Sequence, residues 1–120
     1  MTEAELQQNI IELANLLGWR AAHFRPALCK VGGRMVYRTA VSGQGKGFPD
    51  LVLARSGRVL FIEVKSSKGR LSPEQQEWLD VLPNSYCWRP EDWERIVEIL
   101  NTQKGDGYTQ KGEVIYGTGS

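Results

Sequence analysis

Cysteine and histidine are scarce in this chain. Its two cysteines, Cys29 and Cys87, stand far apart, and His23 is the single histidine. With no CxxC pair and no Cys/His cluster, neither a zinc site nor a disulfide framework is expected, and both cysteines read as reduced and structural. A lone histidine in a strand-like piece gives little support to Ser-His-Asp or Cys-His catalysis and reads as structural or phosphate-contacting. Long apolar runs are also missing, and the opening "MTEAELQQ" is polar and acidic. Neither a signal peptide nor a membrane-spanning helix is expected, so the chain reads as cytoplasmic. No sign of charge dominates: 15 Lys and Arg against 14 Asp and Glu leave +1, so any nucleic-acid surface must be local. Repeats and linkers are absent too, and 120 residues at 41% hydrophobic content suit one compact domain.

What is present is a mixed order of helices and strands. Leu6, Ile10, Leu13, Ala14 and Leu17 recur at helical spacing and Gly18 supplies a stop, which predicts a helix from about Thr2 to Leu17. Strand-like pieces "WRAAHF" and "RMVYRTAV" follow, separated by "RPALCKVGG", read as a loop. "SGQGKGFP" is a glycine-rich loop carrying Lys46. "LVLAR" and "RVLFIEVK" flank Ser56-Gly57, a two-residue hairpin turn, and the second strand is apolar on both faces, hence central. "SPEQQEWLDVL" sets Gln75, Trp78, Leu79 and Leu82 on one helical face, "SYCW" is a short strand, and "PEDWERIVEIL" groups Trp93, Ile96, Val97 and Leu100. The four tryptophans sit mostly at core-like phases, so base stacking is not needed to explain them. The last stretch, residues 105–120, reads as a tail or an edge hairpin.

The central hairpin places two acids together. If Ser56-Gly57 is the turn, Arg55 faces Arg58, and the same register sets Asp50 opposite Glu63. Directly opposed side chains lie about 4.5–5.5 Å apart at Cβ, and like charges so placed repel unless something neutralises them. A hard divalent cation, Mg²⁺ or Mn²⁺, suits a carboxylate pair. Alternation puts Lys65 on the same face as Glu63, where it can orient an attacking water and stabilise charge on a phosphate. The competing reading has Asp50 merely opening a strand and Glu63 pairing with Lys65 on an exposed edge. Against it, Glu63 is embedded in "VLFIEV", where an unpaired charge is costly to bury.

Pro49-Asp50, twelve residues, then Glu63-Val64-Lys65 resembles the signature of the PD-(D/E)XK nuclease superfamily. With "TEAELQ", "GFPDLVL", "FIEVKSSKGRLSPEQQEWL" and "YCWRPEDWERI" around it, the chain is similar to small stand-alone VRR-NUC proteins of phage and bacteria. The resemblance covers most of residues 2–100 and implies one VRR-NUC domain over 2–104. It further implies an α/β fold with a restriction-endonuclease-like core, a central mixed β-sheet flanked by helices. The implied activity is divalent-metal-dependent, structure-selective hydrolysis of DNA phosphodiesters, on Holliday junction or flap-like substrates, by a homodimer. The alternative is a non-catalytic DNA-binding or assembly module that keeps the fold; intact Asp50, Glu63 and Lys65 argue against it.

The family also uses a glutamate on its first helix. Glu3 lies in line with Leu6, Ile10 and Leu17, at the open end of the inward stripe, and matches the family's spacing to Gln7. Glu5 stands three residues after Thr2 and so has a structural explanation in a capping box. Glu3 is therefore assigned to the site with Glu5 as fallback, although first-turn acids are also favoured simply by the helix dipole. Gln75 carries two readings. "SPEQ" is itself a capping box, while its face directs Gln75 toward the sheet, where family members carry a glutamine near the metal.

The expected catalytic set is thus Asp50, Glu63, Lys65, Glu3 and Gln75. The resemblance adds the Val64 carbonyl to Asp50, Glu63 and Glu3 as metal ligands. DNA contact is expected from Lys46, Lys68, Arg70 and Arg25, with Arg34 and Arg38 as further candidates. "GQGKG" precedes a strand where a phosphate-binding loop would open a helix, so no nucleotide cofactor is expected.

Overall fold

A computed structural model describes residues 1–24, 27–38 and 44–102. Helix α1, Glu3–Leu16, opens where its sequence says it should. Thr2 accepts the N–H of Glu5 on its hydroxyl, and the Glu5 carboxylate accepts the N–H of Thr2, at 3.1 and 2.9 Å. It closes on Gly18 at φ +87°, with the N–H of Trp19 donating to Ala14 O and that of Gly18 to Asn15 O. That pair of bonds is a Schellman closure, which needs a left-handed residue at the glycine.

The main sheet runs β1–β4–β5–β6, from β1 (Arg20–His23), β4 (Leu51–Arg55), β5 (Arg58–Val64) and β6 (Ser85–Trp88). The first three strands are antiparallel and β5–β6 is parallel, so the sheet is mixed. Ser56 and Gly57, at φ 51° and 81°, make the expected two-residue turn, and Arg55 pairs with Arg58. β5 lies between β4 and β6, as its doubly apolar sequence requires. The parallel step from β5 to β6 passes through α2, Pro73–Val81, and the chain ends its described course in a 3-10 turn, Pro90–Asp92, and α3, Trp93–Asn101.

One sheet face holds the core. Leu51, Leu53, Leu60, Ile62, Val64, Tyr86 and Trp88 lie under Leu6, Ile10 and Ala14 of α1 and Ile96, Ile99 and Leu100 of α3. In α3 the inward face is turned toward Ile99: Ile96, Ile99 and Leu100 are buried, while Val97, expected on that face, is only half-buried. At the end of the sheet beyond the turn, Arg55 bonds Leu17 O, Leu100 O and Thr102 O, and Arg58 bonds Thr102 O. The carbonyl ends of α1 and α3 are thereby fastened to the hairpin. The opposite sheet face is covered by α2 and by Phe48, whose ring meets Phe24, Phe61 and Trp78 edge-on at 5.7, 6.0 and 5.0 Å.

Two expectations need correction or fall outside. Ala27–Val31, taken as loop, is strand β2; it pairs antiparallel with β3, Arg34–Arg38, as a separate two-stranded sheet. Gly32-Gly33, both at positive φ, is its hairpin turn, so the glycines punctuate a hairpin and do not extend a loop. The reading of residues 105–120 lies outside the described residues. No described helix is long and apolar enough to cross a membrane.

Candidate active site

The β4–β5 register builds the site. Leu51 opposes Ile62, so Asp50, one residue before β4, meets Glu63. Asp50 is held on two sides: its carbonyl accepts Phe24 N–H, and its Oδ2 accepts Val64 N–H, both at 3.0 Å. Pro49, fully buried, fixes the approach of the chain to it.

Glu63 is only 2% exposed, on the face away from the apolar core. Its Oε2 accepts Gln75 Nε2 at 3.3 Å, while its Oε1 has no hydrogen-bond partner. Burial first, then the nearby charge of Asp50 and the hydrogen bond that a protonated Glu63 can give it, push its carboxyl up to about 9; Glu3 adds to this and Lys65 opposes it. A buried acceptor without a donor, beside a second carboxylate, demands either a proton or a cation. Mg²⁺ and Mn²⁺ fit the chemistry of this donor set, which offers hard carboxylate oxygens. Val64 has its side chain in the core, so only its backbone is available to the site.

Gln75 satisfies both of its readings at once. Its Oε1 accepts Ser72 N–H at 2.8 Å and its N–H donates to Ser72 Oγ at 3.1 Å, while its Nε2 turns to Glu63. Gln76 points elsewhere, to Asp80 at 2.8 Å. Lys65 is half-buried beside the acids, with its N–H anchored on Trp88 O at 3.0 Å.

Glu5 is consumed by the Thr2 cap, whose backbone N–H holds its carboxyl below the usual range. Glu3 is exposed, and its charge is felt at Glu63. It is not gathered in further: among the described residues no three His, Cys, Asp or Glu side chains converge to hold a metal. Asp50 and Glu63 are thus brought together, and Glu3 stays at a distance.

Lys46, Lys68 and Arg70 are exposed, as is Arg34 on β3, and Arg25 lies outside the described residues. His23 is exposed at the end of β1, opposite Leu51 and so beside the site. The Lys46 loop is fastened to α2 by Trp78 Nε1, which donates to Gln44 O at 3.2 Å and Lys46 O at 3.1 Å.

Sequence reading missed three neighbours of the site, Arg89, Glu91 and Cys87. Arg89 Nη1 donates to Ser66 O at 2.7 Å and Gly69 O at 2.6 Å, and Glu91 accepts Ser67 Oγ at 2.8 Å. Together they hold the loop that runs from Lys65 to Arg70. Cys87 pairs with Glu63 across the parallel β5–β6 step, and burial pushes its thiol up, which keeps it protonated and a poor ligand. Only the Arg-Pro step after "SYCW" hinted at a role for Arg89; nothing in the spacing announces Cys87.

Comparison with known proteins matches the VRR-NUC domain over residues 4–101. No curated protein and no solved structure matches the chain. Four strands in a mixed sheet flanked by helices, with the acids at the strand ends, agree with the restriction-endonuclease-like fold. The chain belongs to the VRR-NUC domain family, a family of nuclease domains that act on DNA.

Proposed function

We propose that this protein is a divalent-metal-dependent DNA endonuclease, selective for branched structures such as Holliday junctions or flaps and working as a homodimer. The observation that carries the metal is Glu63 Oε1, buried without a donor next to the Asp50 carboxylate. Asp50, Glu63 and the Val64 carbonyl would hold Mg²⁺ or Mn²⁺, with Glu3 acting on the outer side. When bound, the cation neutralises charge that builds on the phosphate and on the leaving oxygen.

The chain's own residues do the rest. Lys65 orients the attacking water and offers positive charge to the reacting phosphate. Gln75 fixes the rotamer of Glu63, and the Val64 N–H fixes that of Asp50. Lys46, Lys68 and Arg70 take flanking phosphates. Selectivity for branched DNA and the homodimer are supported by the family resemblance, and by the need for two sites if two strands of a junction are cut symmetrically.

A cleavage assay on four-way junction, flap and linear duplex DNA, with and without Mg²⁺ or Mn²⁺, tests this. Cleavage of branched substrates that requires the cation and is lost in Lys65→Ala is expected. No cleavage of any substrate by the intact chain would sink the enzyme, and unchanged activity in Lys65→Ala would sink the assigned site.

A further inference from the structure

The β2–β3 ribbon belongs neither to the site nor to the core, and in sequence it lies between two residues that meet at the site, Phe24 and Asp50. The chain leaves the main sheet at Phe24, whose N–H bonds Asp50 O, and returns through Phe48 and Pro49 to Asp50 itself. The ribbon is therefore an insertion, in chain order, between the last residue of β1's neighbourhood and the aspartate that precedes β4. Each of its five-residue strands is about 17 Å long.

Its charge is one-sided. From Leu13 to Pro49 the sequence holds six basic residues, Arg20, Arg25, Lys30, Arg34, Arg38 and Lys46, and not one acid, in a chain whose net charge is only +1. Lys30, Arg34 and Met35 are exposed, Met35 by 58%. Lys30 pairs with Met35 and Val31 with Arg34, so strand alternation sets Lys30 and Arg34 on opposite faces of the ribbon. A two-stranded ribbon fits the major groove of B-DNA, where cations on its two faces meet the phosphates of the two walls.

We infer that the β2–β3 ribbon is an arm that lies in a groove of duplex DNA beside the cleaved bond, with Lys30 and Arg34 on phosphates of opposite strands. This rests on the DNA-cleaving reading above and adds the part of the substrate it engages, a duplex arm flanking the branch. Met35, at the same level as Lys30, supplies apolar contact with the groove.

The test is fluorescence anisotropy of the full chain on a linear duplex of roughly three helical turns, in EDTA, across a salt series. Lys30→Ala/Arg34→Ala is expected to weaken binding roughly tenfold and to reduce the log–log salt slope by about 1.8, or about 0.9 for each phosphate that is no longer neutralised. Lys30→Glu/Arg34→Glu should bind more weakly still. Both pairs should melt like the unmodified protein, since neither side chain belongs to the core. Arg20→Ala, an exposed cation at the far end of β1 opposite Ala54, should bind unchanged.

Unchanged affinity and slope in the alanine pair would overturn the inference, as would an equal loss in Arg20→Ala, which would mean bulk charge. So would a changed sedimentation coefficient with DNA affinity intact, which would make the ribbon a contact between copies of the chain. Cleavage separates the two proposals. An intact chain that binds through the ribbon but cuts nothing loses the nuclease reading alone, and one that cuts while the alanine pair binds normally loses the ribbon alone.

Discussion

The carboxylate of Asp50 accepts the backbone N–H of Val64 at 3.0 Å, so the acid that opens β4 is tied to the peptide lying between Glu63 and Lys65. Asp50 is thereby fixed, through main chain, to the strand segment that carries Glu63 and Lys65. That bond positions Asp50 without relieving its repulsion of Glu63, because the donor is spent on Asp50 and Glu63 Oε1 still has none.

Replacing Glu63 by Gln should therefore stabilise the metal-free protein while removing its activity. The amide can donate to Asp50 and, unlike the carboxyl, needs no proton taken up on folding, a gain of about 1–2 kcal/mol near neutral pH. That corresponds to a rise in melting temperature of roughly 4–8 °C. Adding Mn²⁺ should raise the melting temperature of the unmodified protein and leave the variant where it was. A variant that melts lower in EDTA would contradict this account of Glu63.

The pH dependence of stability has a definite sign. The Glu63 carboxyl titrates near 9 in the fold against 4.5 in its ordinary state, so between those values the folded chain holds a proton that the unfolded chain releases. Stability of the metal-free protein should fall as pH rises through that window. Urea titrations in EDTA across it measure the slope, and Glu63→Gln should flatten it. A stability that rises with pH in the unmodified protein but not in the variant would be the wrong sign.

Gln75 can be separated into its two roles by two substitutions. Gln75→Ala loses the cap and the bond to Glu63 together, at a cost of about 1–2 kcal/mol in stability along with a loss of cleavage. Gln75→Glu keeps an acceptor for Ser72 N–H but sets a third carboxylate against Glu63. It should destabilise the metal-free chain at neutral pH and be rescued by acidification or by Mn²⁺. Thermal melts at two pH values, with and without cation, read the difference.

Gly47 connects the Lys46 loop to α2 at a spacing that admits no side chain. A Cβ there would lie 2.7 Å from backbone and side-chain carbons of Glu74 and 2.8 Å from Gln75 N, at φ +85°. Gly47→Ala should cost about 2–3 kcal/mol from overlap and backbone strain. Because the helix it would displace carries Gln75, cleavage should decline even below the melting temperature. Circular dichroism melts and initial rates at low temperature check both parts.

Arg89 is expected to act on substrate through the loop it holds. Arg89→Gln should give up the paired bonds to Ser66 O and Gly69 O and raise KM for DNA roughly fivefold, about 1 kcal/mol, with a smaller change in kcat. Arg89→Lys should recover part of that loss, since one ammonium reaches fewer of the carbonyls. A fall confined to kcat would mean that Arg89 serves the reacting groups and not the loop.

Much of this architecture is written locally. The Thr2 and Ser72 capping boxes, the Gly18 stop and the Ser56-Gly57 turn each depend on hydrogen bonds within a few residues, so spacing alone is enough to place them. The register of one hairpin follows from its turn, and with it the meeting of Asp50 and Glu63. One strand of the ribbon, β3, was read as a strand, but β2 was missed because Pro26 and the glycines looked like loop punctuation. Gly32-Gly33 marks a turn only once the flanking segments are known to pair.

What required the tertiary structure is everything set by elements distant in sequence. Sequence could not say that β6 would lie parallel to β5 and bring Cys87 to Glu63, nor that Arg89 would reach back to the Lys65–Arg70 loop. Neither could it say that Gln75 would cap its helix with one atom and serve Glu63 with another, or that Glu3 would stand off from the acid pair. Those outcomes depend on how α1, α2 and α3 seat against the sheet, and packing of that kind is decided by the whole core at once. The meeting of Asp50 and Glu63 was legible in one hairpin; the burial that leaves Glu63 short of a donor is a property of the assembled fold.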